Sequence, residues 1–295
     1  MSPSPLPVSR SELESQLKTL LHTYALEPAK QRSQNFCIDP TLLSYIVEIA
    51  GLDKNKDTVL EIGAGFGFLT QFLAIHSKRV ISMELDADLA LLAERRMIDH
   101  DNVEIYNVDF LKTDLSVFEF DKIVANPPYK ISSEILFKIL EEKPVESTLT
   151  FQKEFVQHVE ARPGDRDYSR LSVMVAFHAE VEKGRVFSPH SFYPAPKVDS
   201  QVIKLVPHQG NLFASLEQRD AFRIFLKAVF NRKHRKISVN LVSYLKSQGI
   251  SKQEARMILN EFLGIPRMSN RAANLSPDQL YGLFQQVHPI LELGQ

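Results

Sequence analysis

This chain of 295 residues has one cysteine, no tryptophan and only 11 glycines. The lone cysteine, Cys37, excludes an intrachain disulfide framework and a zinc site built on cysteine pairs. No apolar run approaches the roughly 20 residues of a membrane-spanning helix. Charge of either sign is not in surplus: 35 Lys/Arg against 36 Asp/Glu leave a net −1, which argues against a uniformly basic protein. A Gly-x-x-x-x-Gly-Lys-Ser/Thr phosphate loop is missing, which disfavours an NTPase. The opening stretch, Met1 to Arg10, lacks the apolar core of a signal peptide and reads as a flexible tail. By default these absences point to the cytoplasm.

What is present begins with a helical period at Leu13, Leu17, Leu20, Leu21 and Tyr24. Asp39-Pro40 then reads as an N-cap with proline at the first helical position. From Thr58 to Phe151, short apolar strands alternate with helical stretches, which implies a mostly parallel sheet covered on both faces. Val173–Phe177 and Gln201–Val206 are expected as two further strands with no helix between them, forming an antiparallel edge pair. Beyond residue 212 helical patterns remain, with Gly249 and Gly264 as helix stops. The expected organisation is an N-terminal tail and helix (1–30), an α/β domain (31–210) and a helical domain (211–295).

Asn126-Pro127-Pro128-Tyr129 follows the apolar run Ile123-Val124-Ala125. Two prolines end a strand, because neither ring nitrogen can donate to a ladder. An amide and an aromatic ring therefore stand just beyond a strand's carboxyl end, where open α/β sheets bind ligands. The Asn126 oxygen and the Pro127 carbonyl can accept the two protons of an exocyclic amino group, and Tyr129 can stack on the attached base. A plain Asn-Pro turn before a core tyrosine fits the same residues.

Glycines in Glu61-Ile-Gly63-Ala-Gly65-Phe-Gly67 open a helix directly after the first strand of the alternating region, allowing a tight turn and close approach to a ligand. Glu84 ends the next strand and can accept both hydroxyls of a ribose. Asp109 follows the third and can accept from an adenine amino group, or make a local Asx turn. Singly each has an ordinary structural explanation. Together they place glycines, Glu84, Asp109 and Asn126 at the ends of four successive strands, which favours a nucleoside cofactor, S-adenosyl-L-methionine given Asn-Pro-Pro-Tyr.

The near-zero net charge hides an asymmetry. Arg219 to Arg271 holds 12 Lys/Arg against 3 Asp/Glu, while the remainder is acidic. Arg232, Lys233, Arg235 and Lys236 lie between two amphipathic segments, and a polyanion such as RNA is the partner this suggests. A solvated basic helical face is the alternative.

These residues resemble the small-subunit ribosomal RNA adenine N6-dimethyltransferases, over about residues 31–288. Gln34-Asn35-Phe36 is similar to that family's entry motif, Asn126-Pro-Pro-Tyr129 to its Asn-Leu-Pro-Tyr signature, and Phe192-Tyr-Pro-Ala-Pro-Lys-Val-Asp-Ser200 to its aromatic-proline segment. Asn270-Arg-Ala-Ala-Asn-Leu-Ser276 resembles its lead-in to the last helix. The resemblance implies a Rossmann-like class I methyltransferase sheet, mostly parallel with an antiparallel edge strand, and a small C-terminal α-helical domain. It implies cofactor contacts from Gln34, Asn35, Cys37, Gly63, Gly65, Glu84, Asp109 and Asn126. Cys37 stands where the family usually has leucine, and Pro127 replaces another leucine while keeping its carbonyl.

Asn126, Pro127 and Tyr129 are then expected to hold a flipped-out adenine, with Phe192 either stacking on its other face or packing in the core. The implied reaction is N6,N6-dimethylation of adenosines, two adjacent ones near the 3′ end of small-subunit rRNA, on naked RNA or a pre-30S-like particle, by a monomer. Rivals are the large-subunit rRNA adenine methylases, DNA adenine methylases sharing Asn-Pro-Pro-Tyr, and a ribosome-assembly factor with a silent methylase fold.

Overall fold

The computed structural model of the protein describes residues 9–27, 34–209, 213, 215–263 and 270–293. These divide into two compact units, Met1–Val156 with Glu180–Pro207, and Gln157–Ala179 with His208–Gln295. The expected boundary near residue 210 thus misses that Gln157–Ala179 belongs with the C-terminal helices.

The first unit opens with α1 (Arg10–Thr23), whose N-cap Ser9 accepts from the Glu12 backbone N–H. Its buried Leu13 and Leu17 join the core of this unit. The two-residue strand β1 (Phe36–Cys37) precedes α2 (Pro40–Ala50), capped by the Asp39 side chain as its sequence requires. Then follow β2 (Thr58–Ile62), α3 (Phe68–His76), β3 (Arg79–Glu84), α4 (Ala87–Arg96), β4 (Val103–Asn107), β5 (Lys122–Ala125), α5 (Ser132–Glu142) and β6 (Glu146–Gln152). Helix α6 (Lys153–Glu160) and helix α7 (Arg170–His178) lead to β7 (Ala179–Phe187), β8 (Phe192–Tyr193) and β9 (Ser200–Pro207).

Seven strands form one sheet in the order β4-β3-β2-β5-β6-β9-β7. Strands β2 to β6 run parallel to one another, and β9 pairs antiparallel with β6. The strand sequence reverses direction between β3 and β5 on either side of β2, the switch point at which doubly wound sheets bind ligands. A separate two-stranded sheet pairs Cys37 with Phe192 and Phe36 with Tyr193.

Residues 173–177, expected as a strand, lie inside α7. The run Val-Met-Val-Ala-Phe is apolar at every position, so its period cannot distinguish strand from buried helix. Ser169 decides the outcome: it N-caps the helix in a capping box with Ser172, and most of α7 is buried. The edge strand is instead β7, beside β9, and its pattern of buried, half-buried and exposed positions carries no strict alternation.

In the second unit, α8 (Leu216–Phe230), α9 (Ile237–Ser247), α10 (Lys252–Leu263) and α11 (Pro277–Leu293) follow the helical periods in the sequence. Gly249 takes φ +91° just after α9, the left-handed stop that glycine adopts freely; Gly264 lies outside the described residues. Phe222 and Phe225 of α8, Tyr244 of α9 and Phe284 of α11 are buried against one another.

Candidate active site

A cavity of about 320 Å³ opens at the carboxyl ends of β2, β3, β4 and β5. Gln34, Asn35, Cys37, Gly63, Gly65, Glu84, Asp109, Asn126, Pro127 and Tyr129 all line it. The first unit therefore brings together every cofactor residue expected from the sequence, and three of the four residues expected to hold the base.

The glycine turn leaves β2 with φ values of +83° at Gly63, +56° at Gly65 and +77° at Gly67. A Cβ on Gly65 would stand 3.3 Å from the Phe36 ring, a tight contact that adds to the conformational demand for glycine there. Phe36 lies edge-on to Phe66 at 4.7 Å and closes over the turn. Behind it, the buried Glu61 carboxylate accepts from Thr70 Oγ1 and Ser82 Oγ, each at 2.6 Å, tying β2 to α3 and β3. Burial pushes this carboxyl up to about 7 against those two hydrogen bonds.

Glu84 is 8% exposed. Its Oε2 accepts from the Gly65 N–H at 2.8 Å and its Oε1 from the Asp86 N–H at 2.9 Å, so the glycine turn and the end of β3 fix the carboxylate between them. Burial raises its pKa, opposed by those backbone donors. A carboxylate oxygen accepts more than one bond, so both oxygens keep capacity for ribose hydroxyls. Asp109 makes the local turn as well as lining the cavity: Oδ1 accepts from the Leu111 N–H at 3.0 Å. Cys37 is 6% exposed, and its buried thiol is pushed up to about 12, beyond use as a nucleophile near neutrality.

Asn126 is half-buried, and its Oδ1 is a buried acceptor with no hydrogen-bond partner among the described residues. Leaving such an acceptor unmade costs about 1–3 kcal/mol, so its natural complement is an N–H from a bound molecule. Next to it Pro127 is buried, and the Cδ of Pro128 lies 3.7 Å from where a Gly63 Cβ would stand. Proline rigidity and the 3₁₀ turn Tyr129–Ile131 hold the segment against the glycine turn.

Among the apolar residues of the wall that the sequence reading did not single out are Leu85 and Phe110. Leu85 is 58% exposed although it directly follows the buried Glu84.

Phe192 is not on the cavity wall. It is 2% exposed and belongs to the core, where β8 pairs with β1. Its ring packs roughly perpendicular to that of Tyr129, centroids 6.2 Å apart at 75°, so it buttresses that tyrosine and has no open face for a base. The core packing of an aromatic-proline segment leaves no trace in the local sequence.

The second unit carries the basic turn between α8 and α9. Arg232, Arg235 and Lys236 are exposed. Lys233 is half-buried and donates to the carbonyls of Arg166 at 2.7 Å and Tyr168 at 2.9 Å, so its ammonium anchors the turn. Buried Asn240 donates to the carbonyls of Val229 and Arg232, closing the end of α8.

No helix among the described residues is long and apolar enough to cross a membrane, and no group of three His, Cys, Asp or Glu residues there could hold a metal ion.

The comparisons with known proteins agree with this geometry. A family model described as ribosomal RNA adenine dimethylase matches residues 27–285. A probable ribosomal RNA small subunit methyltransferase A from Methanosarcina mazei is 40% identical over 252 residues, covering 84% of this chain and 88% of that protein. Its counterpart from Thermococcus kodakarensis is 35% identical over 268 residues, covering 91% and 93%. The crystal structure of a dimethyladenosine transferase from Plasmodium falciparum superposes with a TM-score of 0.70 at 29% identity, covering 85% of this chain and 97% of that one. The 23S rRNA methyltransferase ErmE gives 0.60 at 27%, covering 86% and 100%. The fold is that of a class I methyltransferase. With the glycine turn, Glu84 and the unpartnered Asn126 amide oxygen fitting S-adenosyl-L-methionine as cofactor, the chain belongs to the ribosomal RNA adenine dimethylase family.

Proposed function

We propose that this protein transfers methyl groups from S-adenosyl-L-methionine to N6 of adenosines in small-subunit rRNA, two adjacent ones near the 3′ end. The unpartnered, buried Oδ1 of Asn126 at the cavity carries this reading. Gly63 and Gly65 admit the cofactor closely, Glu84 takes the ribose hydroxyls, and Asp109 takes the adenine amino group. Gln34, Asn35 and Cys37 close the cavity from the N-terminal side.

The cofactor supplies a methyl carbon bonded to a positively charged sulfur. Asn126 Oδ1 and the Pro127 carbonyl accept hydrogen bonds from the two N6–H groups of the target adenine and turn the nitrogen lone pair toward that carbon. The bound cofactor would supply that methyl to the nitrogen with its sulfur as the leaving group, and the amine's surplus proton would be left to water. Catalysis is then positioning and fixed electrostatics, without a strong general base. Tyr129 stacks on the flipped base, supported by its edge contact with Phe192.

Arg232, Arg235 and Lys236 meet the RNA backbone, with Lys233 holding their turn in place. The protein acts in the cytoplasm as a monomer during ribosome biogenesis, on small-subunit rRNA or an assembling small subunit. Relatives named for the small subunit at 35–40% identity support that substrate over large-subunit RNA, whose methylase structure is 27% identical.

The test is transfer from labelled cofactor to unmodified small-subunit RNA and particles, followed by mapping of the products. N6,N6-dimethyladenosine at neighbouring positions is expected. Product confined to large-subunit RNA would overturn the reading.

A further inference from the structure

The Lys197-Val-Asp-Ser200 segment takes no part in the chemistry described above, yet it ends at a side chain that reaches the site. Ser200 begins β9, opposite Gln152 of β6, and is fully buried. The preceding Asp199 carbonyl accepts from the Lys153 N–H at 2.9 Å, which fixes the strand start. Ser200 Oγ and the Tyr129 hydroxyl share a hydrogen bond of 2.7 Å, with either able to donate. At the other end of the tyrosine, its carbonyl accepts from Ser132 Oγ at 2.8 Å. The Phe192 ring packs against it at 75°.

We propose that Ser200 is a positioning residue for methyl transfer: it holds the Tyr129 hydroxyl from inside the protein and so sets the angle at which that ring meets the target adenine. This rests on the reading that Tyr129 stacks on the base. It adds that the phenol hydroxyl is turned away from the substrate and that its partner is a serine in the sheet. Stacking alone would be served equally by phenylalanine; a tyrosine is needed because its far end must be anchored. Without the anchor the ring can tilt, and a base resting on it shifts relative to the Asn126 amide.

The experiment is a double-variant cycle on the full chain: Tyr129→Phe, Ser200→Ala, both together, and Ser200→Thr. Methyl transfer to small-subunit RNA, cofactor affinity and thermal melting are measured for each. Tyr129→Phe and Ser200→Ala should each lower kcat about three- to tenfold, the effect of losing one hydroxyl pair, with cofactor affinity unchanged. The double variant should be no slower than either single one, because both remove the same bond. Ser200→Thr keeps the hydroxyl and should recover most of the rate. Wild-type turnover in Tyr129→Phe, or losses that multiply in the double variant, would overturn the proposal. Should Ser200→Ala fail to fold, the nearly isosteric Tyr129→Phe carries the test alone. Near-normal turnover in Tyr129→Ala would instead sink the stacking reading beneath it.

Discussion

Gly65 joins two demands in one residue: a φ of +56° and a tight approach to the Phe36 ring, 3.3 Å from where a Cβ would stand. Its N–H also donates to Glu84, so a shift of the turn moves the expected ribose carboxylate. Gly65→Ala should destabilise the fold by about 1–2 kcal/mol and weaken cofactor binding, measurable by melting and by calorimetry. Unchanged affinity would remove the turn from the cofactor site. Lys233 makes a different point. The sequence marks it as one of four equivalent cations, whereas the structure sends its ammonium to two backbone carbonyls. Lys233→Ala should therefore lower the melting temperature, while charge removal at Arg232, Arg235 or Lys236 leaves it nearly unchanged. Equal melting temperatures in all four variants would contradict the anchor. Residue type and spacing made the glycines, Glu84, Asp109 and Asn126 legible, because strand ends converge by topology. The burial of Phe192 and the anchoring by Lys233 were hidden, because each depends on a partner far off in sequence: β1 for the phenylalanine, the 166–168 segment for the lysine.

At the scale of elements, β2, α3 and β3 meet at the buried Glu61. Its carboxyl is raised from 4.5 to about 7 in the folded chain. The folded state thus binds the proton more tightly than the unfolded state. The resulting stabilisation is complete below the unfolded pKa and is lost as pH rises through about 7, up to about 3 kcal/mol in all. Stability should fall between about pH 4.5 and pH 7, and Glu61→Gln should flatten that part of the profile in chemical denaturation. An identical slope in the variant would contradict the assignment. Between α8 and α9, charge reversal at Arg232, Arg235 and Lys236 should weaken RNA binding and reduce its salt slope by roughly 0.7–0.9 for each phosphate no longer neutralised. A preserved slope would move the RNA surface elsewhere. Element types were readable where a cap or a glycine marks an end, as at Asp39 and Gly249. They were unreadable at α7, where Val173–Phe177 is uniformly apolar and the deciding capping box begins outside the run.

For the whole molecule, chemistry and charge are divided between the two units. The first holds the cavity, and the second carries the basic turn. The alternation of strands and helices foretold the sheet, but not that Gln157–Ala179 leaves the first unit to join the C-terminal helices before the chain returns for β7 and β9. Chain order alone suggests one boundary, and only packing shows that the chain passes between the units more than once. At this scale the central claim is that an amide and a proline-held carbonyl orient the N6 amine. It is tested most directly by comparing the native chain with Asn126→Ala in two assays: calorimetric binding of S-adenosyl-L-methionine, and mass-spectrometric yield of N6,N6-dimethyladenosine from small-subunit rRNA. The account predicts that the variant still folds and binds the cofactor within about tenfold, while the yield falls by about a hundredfold or more. A variant that forms dimethyladenosine at the native rate would contradict it.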